Sequence, residues 1–157
     1  MILHFRDLLI QLINGQVDFI LVCGMAGAIH GSSLLTQDID ILCDMNPRNI
    51  RKLWQSLKKL QPKHRMARPP CAFEASDCDR TWKNISLLTD WGQQDCLGSV
   101  KAVGSYKDAR PHTIQIPLGD EKESPILLTL DLPTLIQAKE AMGRPHDLEN
   151  VKILGQS

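Results

Sequence analysis

The stretch ILVCGMAGAIHGSSLLTQDIDILCD, residues 20–44, joins two apolar runs through a glycine-containing turn. The first run, which begins as VDFILVCG, is continuous and ends at a turn signal, as is typical of a buried strand. The segment GMAGAIHG that follows predicts a short helix closed by Gly31. The second run, QDIDILCD, predicts another strand, in which Ile39 and Ile41 point into the core.

Two acidic residues stand on this second strand. Asp38 and Asp40 are two positions apart, so their side chains share one face of the sheet. Carboxylates on one face repel each other unless a positive group lies between them. A divalent cation is a natural partner, and oxygen ligands favour Mg²⁺ or Mn²⁺. Taken alone, however, a D-x-D pattern more often marks a strand edge that faces solvent.

The turn before these acids offers a second kind of site. Gly24 and Ala26 begin a tight strand-to-helix turn, which exposes backbone N–H groups and a helix N-terminus to an anion. Ser32 and Ser33 can add hydroxyl contacts to a phosphate, although serines in loops mostly form turns. A phosphate-binding turn beside a metal-binding acid pair is the arrangement that phosphoryl transfer requires.

Length and composition limit the classes of protein to consider. The 157 residues predict one compact domain over 1–157. The 18 Lys and Arg residues balance 18 Asp and Glu residues, so no global basic field favours bulk nucleic-acid binding. The apolar runs are shorter than the roughly 20 residues of a membrane span, so we expect no membrane contact. Five cysteines without a C-x-x-C pattern indicate a reduced, cytoplasmic protein.

The remaining chain alternates helix and strand signals. MILHFRDLLIQLING predicts an amphipathic N-terminal helix, and Asn46 followed by Pro47 predicts the start of another. NISLLTDWGQQDCLGSV predicts a hairpin, and HTIQIPL and SPILLTL predict two more strands. Residues 131–154 predict two C-terminal helices, with Asp131 as the cap of the first. The fold class is therefore α/β (α+β).

One segment does not fit this alternation. Residues 62–82 lack periodicity and contain three prolines, which predicts an irregular loop. Its basic residues are candidates for contact with nucleic acid, with a solvated loop as the alternative; they are Lys63, His64, Arg65 and Arg68.

The stretch CGMAGAIHGSSLLTQDIDIL resembles the signature of the nucleotidyltransferase superfamily with the polymerase-beta-like fold. The likeness is strongest to small bacterial stand-alone members, including AbiEii-like abortive-infection and toxin–antitoxin nucleotidyltransferases. LLTDWGQQDCLG is similar to the family hairpin that carries a third carboxylate, and LIQAKEAMGRPHDLENVKIL to its C-terminal K-x-x-x-x-R-x-x-D helices. The resemblance covers most of residues 17–154 except 62–82. It implies a nucleotidyltransferase-like mixed β-sheet flanked by helices.

The resemblance also implies an activity and a set of site residues. The expected reaction transfers a nucleoside monophosphate from a nucleoside triphosphate, with Mg²⁺ or Mn²⁺, to an unknown acceptor such as RNA or a protein. Because the chain is too short to include a large recognition domain, we expect a partner protein, a homodimer or a large substrate to complete the site. The implied catalytic and metal-binding residues are Asp38, Asp40 and Asp95. The implied nucleotide-binding residues are Gly24, Ser33, Lys139 and Arg144.

Two departures from the family pattern favour a different class of function. Cys23 stands where the family usually has its first glycine, and Leu34 stands where an arginine is common. These residues favour a catalytically inactive module of the same fold that binds or regulates a partner, as in a toxin–antitoxin pair. A third interpretation is a plain α/β domain whose acids only decorate the surface.

Overall fold

The computed structural model describes residues 5–23 and 38–155. The helices of this part are α1 Phe5–Asn14, α2 Pro47–Leu57, α3 Tyr106–Ala109, α4 Leu132–Met142 and α5 Pro145–Gly155. The strands are β1 Phe19–Cys23, β2 Asp38–Cys43, β3 Lys63–His64, β4 Cys71–Ala72, β5 Asn84–Thr89, β6 Gly92–Leu97, β7 Thr113–Pro117 and β8 Ile126–Leu130. Short 3-10 turns lie at Lys58–Leu60, Ala75–Asp79 and Arg110–His112.

These eight strands form one mixed sheet in the order β4-β3-β5-β6-β2-β1-β8-β7. β6 runs parallel to β2, and β1 runs parallel to β8. The other neighbours are antiparallel, including the β5–β6 hairpin whose turn lies at Asp90 and Trp91. The mixed sheet with its helices confirms the predicted α+β class.

Helix boundaries follow the local signals in the sequence. The side chain of Asn46 accepts a hydrogen bond from the Asn49 amide at 2.8 Å, so it caps α2, and Pro47 occupies the first turn. Asp131 caps α4 in the same way through the amide of Thr134. Gly143 ends α4 with a φ of 66°, a left-handed conformation that glycine adopts without strain.

The core lies where the strand alternation predicts it. Ile39 and Ile41 of β2 are fully buried, together with Leu8 and Leu12 of α1. Because successive strand residues face opposite sides, burial of these isoleucines turns Asp40 to the other face of β2. None of the described helices combines the length and the apolar character needed to cross a membrane.

The segment 62–82 differs from the irregular loop that the sequence predicts. It contributes β3, β4 and the 3-10 turn Ala75–Asp79, and it buries Phe73 and Cys78. Strands of two residues are too short to produce a readable alternation. The segment is ordered by tertiary contacts rather than by local periodicity.

One buried amide fastens α2 to the sheet. The side chain of Asn49 accepts a hydrogen bond from the Asp18 amide at 2.8 Å and donates to the carbonyls of Asp18 and Asp44 at 2.9 and 2.7 Å. It therefore joins the start of α2 to the approach of β1 and the exit of β2. Asn49 is 3% exposed, so water cannot replace these bonds easily.

We expect Asn49→Ala to lower the free energy of unfolding by about 2–4 kcal/mol, because it leaves buried backbone groups without partners. Asn49→Asp should be at least as harmful, since a carboxylate would oppose two carbonyl oxygens. Gln55→Ala, at an exposed position of α2, serves as the control and should change the value by less than about 0.5 kcal/mol. Urea titration followed by circular dichroism measures both, and equal losses in Asn49→Ala and the control would contradict this role.

Candidate active site

Two of the predicted acids are brought together by strand register. In the parallel pair of β2 and β6, Asp40 lies directly opposite Asp95. Residues opposite each other on adjacent strands share a face, and adjacent strands are about 4.8 Å apart. Asp95 and Asp40 therefore present their carboxylates side by side, although their strands begin far apart in the sequence, at Gly92 and Asp38.

The end of β1 reaches the same place from the other side. Cys23, the last residue of β1, pairs with Asp40 after an irregularity in the β1–β2 register. The chain therefore leaves β1 next to Asp40, and the residue that follows is Gly24. Gly24 and Ser33, both predicted to bind phosphate, lie outside the described residues, as does the side chain of Asp38.

An arginine from the unmatched segment contacts Asp95 on both carboxylate oxygens. Nη2 of Arg65 lies 2.7 Å from Oδ2 and 3.0 Å from Oδ1, and Nε lies 3.2 Å from Oδ1. The side chains of Arg65 and Asp95 are 28% and 14% exposed. A forked contact of this kind is geometrically specific, and partial burial makes it stronger than a solvated ion pair.

The neighbouring histidine holds this segment against the sheet. Nε2 of His64 lies 3.0 Å from Oδ2 of Asp77, and both side chains are mostly buried. The His64 ring stacks on Trp82 at a centroid distance of 5.1 Å and meets Phe73 edge-on at 5.4 Å. Trp82 in turn donates from Nε1 to the carbonyl of Asp77 at 2.8 Å. These contacts hold His64 in place and thereby fix the backbone position from which the Arg65 side chain extends.

Several of these side chains also line a cavity that reaches Ser86, the residue opposite Asp95 on β5. Its volume is about 460 Å³, which falls in the range of small-molecule sites. Its wall includes His64, Asp77, Trp82 and Ser86. Because Ser86 lies opposite Asp95 in the β5–β6 pair, the cavity borders the same row of residues as the acids.

The two predicted cationic residues have different surroundings. Lys139 on α4 is 4% exposed, and no hydrogen bond or ion pair joins its ammonium group to another described residue. Arg144, immediately before α5, is paired with Asp147 through Nε at 2.5 Å, and the Asp147 side chain is 2% exposed. Because the stem of Lys139 is buried while its ammonium group has no ion pair with a described residue, Lys139 is the stronger candidate for a phosphate contact.

The described cysteines behave as small apolar residues rather than as a metal cluster. Cys43, Cys78 and Cys96 are buried, and Cys71 is exposed; all four are free thiols. A hydrogen bond with Cys43 and burial raise the pKa of Cys96 well above its ordinary value. A thiol held in its neutral form is a poor metal ligand.

The acid pair suits a magnesium-type cation by donor chemistry. Within residues 5–23 and 38–155, no three His, Cys, Asp or Glu side chains are arranged to hold a metal ion. The predicted set of Asp38, Asp40 and Asp95 includes a side chain outside that part. Asp40 and Asp95 nevertheless supply two adjacent carboxylates, and Mg²⁺ often takes only one or two together with substrate phosphates.

Reasoning from the sequence alone missed the contribution of residues 62–82 to this site. Lys63, His64, Arg65 and Arg68 stand out only as a basic cluster, which predicts contact with nucleic acid or solvent. The structure instead places Arg65 on Asp95 and buries His64 against Trp82. The run of basic residues was the one available signal, and it carries no information on which acid each residue meets.

Comparison with known proteins adds no assignment: no family model matches the chain, and no curated protein matches it.

The His64–Asp77 contact predicts how stability responds to acid. Burial acts to raise the pKa of Asp77, but hydrogen bonds from the Glu74 amide and from His64 outweigh it and leave the pKa below the ordinary 3.8. A carboxyl group with a lowered pKa stabilises the fold above its unfolded pKa, and this contribution is lost as pH falls through the folded pKa.

We therefore expect the unfolding free energy of the wild type to fall more steeply than that of Asp77→Asn below about pH 4. Urea titrations at a series of pH values between about 5 and 2 measure the two slopes. Asp79→Asn is the control, because Asp79 is an exposed carboxylate of the same turn, and it should keep the wild-type slope. Parallel slopes for wild type and Asp77→Asn would contradict the assignment.

Proposed function

We propose that this chain is a metal-dependent nucleotidyltransferase with a polymerase-beta-like fold. The observation that carries the proposal is the position of Asp40 between Asp95 on β6 and the end of β1. This register supports the proposal because it puts two carboxylates beside the end of β1, the strand that the predicted glycine-containing turn follows in the sequence. It also argues against acids that merely decorate the surface, since scattered surface acids have no reason to lie directly opposite each other on two neighbouring strands.

In this proposal each group of residues has a defined task. Asp40 and Asp95, with Asp38, hold Mg²⁺ or Mn²⁺, and the turn that starts at Gly24 binds phosphate through backbone N–H groups. A bound cation neutralises charge on the triphosphate. Lys139 contacts a phosphate oxygen, and Arg144 lies in the break between α4 and α5, with its guanidinium oriented by Asp147.

The proposed reaction is an in-line displacement at the α-phosphorus. The acceptor oxygen forms a bond to this phosphorus while the bond from phosphorus to the bridging oxygen of pyrophosphate breaks. The proton of the acceptor hydroxyl goes to a carboxylate oxygen of Asp95, which acts as general base. The products are the nucleotidylated acceptor and pyrophosphate. The acceptor is an RNA, a protein or a small molecule, and a screen of these three classes would identify it.

One observation favours the inactive binding or regulatory module as the second candidate function. Both oxygens of Asp95 contact Arg65, so in this arrangement the proposed base is already occupied. A protein without catalytic activity does not need a free base, so this contact, like Cys23 and Leu34, is compatible with an inactive module. Metal-dependent nucleotide binding separates the two candidates.

We expect calorimetric titration of ATP, GTP, CTP and UTP with Mg²⁺ to find a nucleotide that binds the wild type. Asp40→Asn should weaken this binding at least roughly tenfold, because a charge-assisted ligand to the metal is lost. Addition of EDTA should have the same effect in the wild type. Binding that survives both changes, or no binding of any nucleotide by folded protein, would contradict the enzyme and favour the module.

Lys139 gives an independent test of the phosphate site. Lys139→Met preserves most of the buried volume and removes the charge, so we expect nucleotide affinity to fall roughly tenfold to a hundredfold. Thermal stability should stay the same or rise, because a mostly buried charged side chain is replaced by an apolar one. Glu140→Gln, at the exposed neighbouring position, is the matched control. Unchanged affinity in Lys139→Met would remove Lys139 from the site.

A further inference from the structure

Arg65 and Asp95 belong to one row of residues that crosses the sheet. Asp40 lies opposite Asp95, and Asp95 lies opposite Ser86. The backbone amide of Arg65 donates to the carbonyl of Ser86 at 3.1 Å, so the row continues onto the chain that follows β3. The guanidinium therefore approaches the acid pair along the sheet and not from bulk solvent.

The contact uses the oxygens that a metal would need. Arg65 meets both Oδ1 and Oδ2 of Asp95, at 3.0 and 2.7 Å from Nη2. A divalent cation bound by oxygen at about 2.0–2.6 Å cannot share a carboxylate freely with a bidentate guanidinium, because the positive groups repel each other. Metal binding at Asp95 thus competes with the Arg65 contact, and we expect it to draw Arg65 away from at least one oxygen.

The position of the Arg65 backbone is fixed by contacts of its neighbour His64, and these contacts do not involve Asp40 or Asp95. Its neighbour His64 is held by Asp77, Trp82 and Phe73. Arg65 is therefore presented to Asp95 by a packed anchor, which reduces the entropy lost in forming the ion pair. Arg65 and the residues that hold His64 all lie within 62–82, outside the part of the chain that resembles the nucleotidyltransferases.

We propose that Arg65 is an intramolecular counter-ion that closes the acid pair in the metal-free protein and sets its affinity for divalent cations. The guanidinium offsets the repulsion between Asp40 and Asp95 when no cation is bound. It gives way when a cation arrives with enough affinity to replace it. The inference rests on the proposed function only in taking Asp40 and Asp95 as the metal-binding pair.

The test is the affinity for Mn²⁺ alone, measured by electron paramagnetic resonance of the free ion in the absence of nucleotide. We expect Arg65→Gln to bind Mn²⁺ on the order of tenfold more tightly than the wild type, since the competing cation is removed. Arg65→Lys should lie between the two, because an ammonium group cannot bridge both oxygens. Lys63→Gln is the matched control: it removes one exposed cation from β3, the strand just before Arg65, and we expect less than about a twofold change from screened charge.

Each outcome is informative. Equal or weaker Mn²⁺ binding by folded Arg65→Gln would overturn the counter-ion role while leaving the metal site intact. An equal rise in Mn²⁺ affinity in Lys63→Gln would show that the effect comes from net charge and not from the Arg65–Asp95 contact, and would overturn the proposal. Absence of Mn²⁺ binding in every variant would remove the metal site and the proposed function together. Thermal unfolding with and without Mn²⁺ provides the second readout, in which Arg65→Gln should show the larger stabilisation by the ion.

Discussion

Parallel pairing in register between β2 and β6 places Asp40 directly beside Asp95, and the electrostatics of this face of the sheet follow from that placement. Adjacent strands are about 4.8 Å apart, so two ionised carboxylates at facing positions repel each other. A fold that keeps them there needs a positive group. Arg65 supplies one to Asp95 from within the described part of the chain, and a divalent cation is another group whose charge and oxygen preference fit.

The segment 62–82 links the hydrophobic core to this charge balance. Phe73 and Cys78 are buried, and His64 is enclosed by aromatic rings and by Asp77. Packing of these apolar groups therefore fixes the origin of the Arg65 side chain. The same contacts shape the cavity of about 460 Å³ next to the acid row. The segment thus brings a cation to Asp95 and lines a cavity that reaches Ser86, without being part of the strands that carry the acids.

Sequence patterns predicted the parts of this fold that depend on local signals. The cap at Asn46, the hairpin around Asp90 and the helix end at Gly143 each rest on residues a few positions apart, and the structure confirms them. The contact between Arg65 and Asp95 joins residues 30 positions apart, through a segment without periodicity. Pairing of that kind is decided by tertiary packing, which a single sequence does not display. Burial of Lys139 was hidden for the same reason, since its helical spacing equally fits a solvated face.

The most direct measurement is the anomalous scattering of Mn²⁺ in crystals of the wild type grown with a non-hydrolysable nucleoside triphosphate. If the chain is a metal-dependent nucleotidyltransferase, we expect a manganese peak within coordination distance of carboxylate oxygens of both Asp40 and Asp95. The triphosphate should lie beside the metal, and Arg65 should have withdrawn from at least one oxygen of Asp95. A bound nucleotide without manganese at these carboxylates, or manganese at other residues with the forked Arg65–Asp95 contact intact, would contradict the assignment of this acid pair.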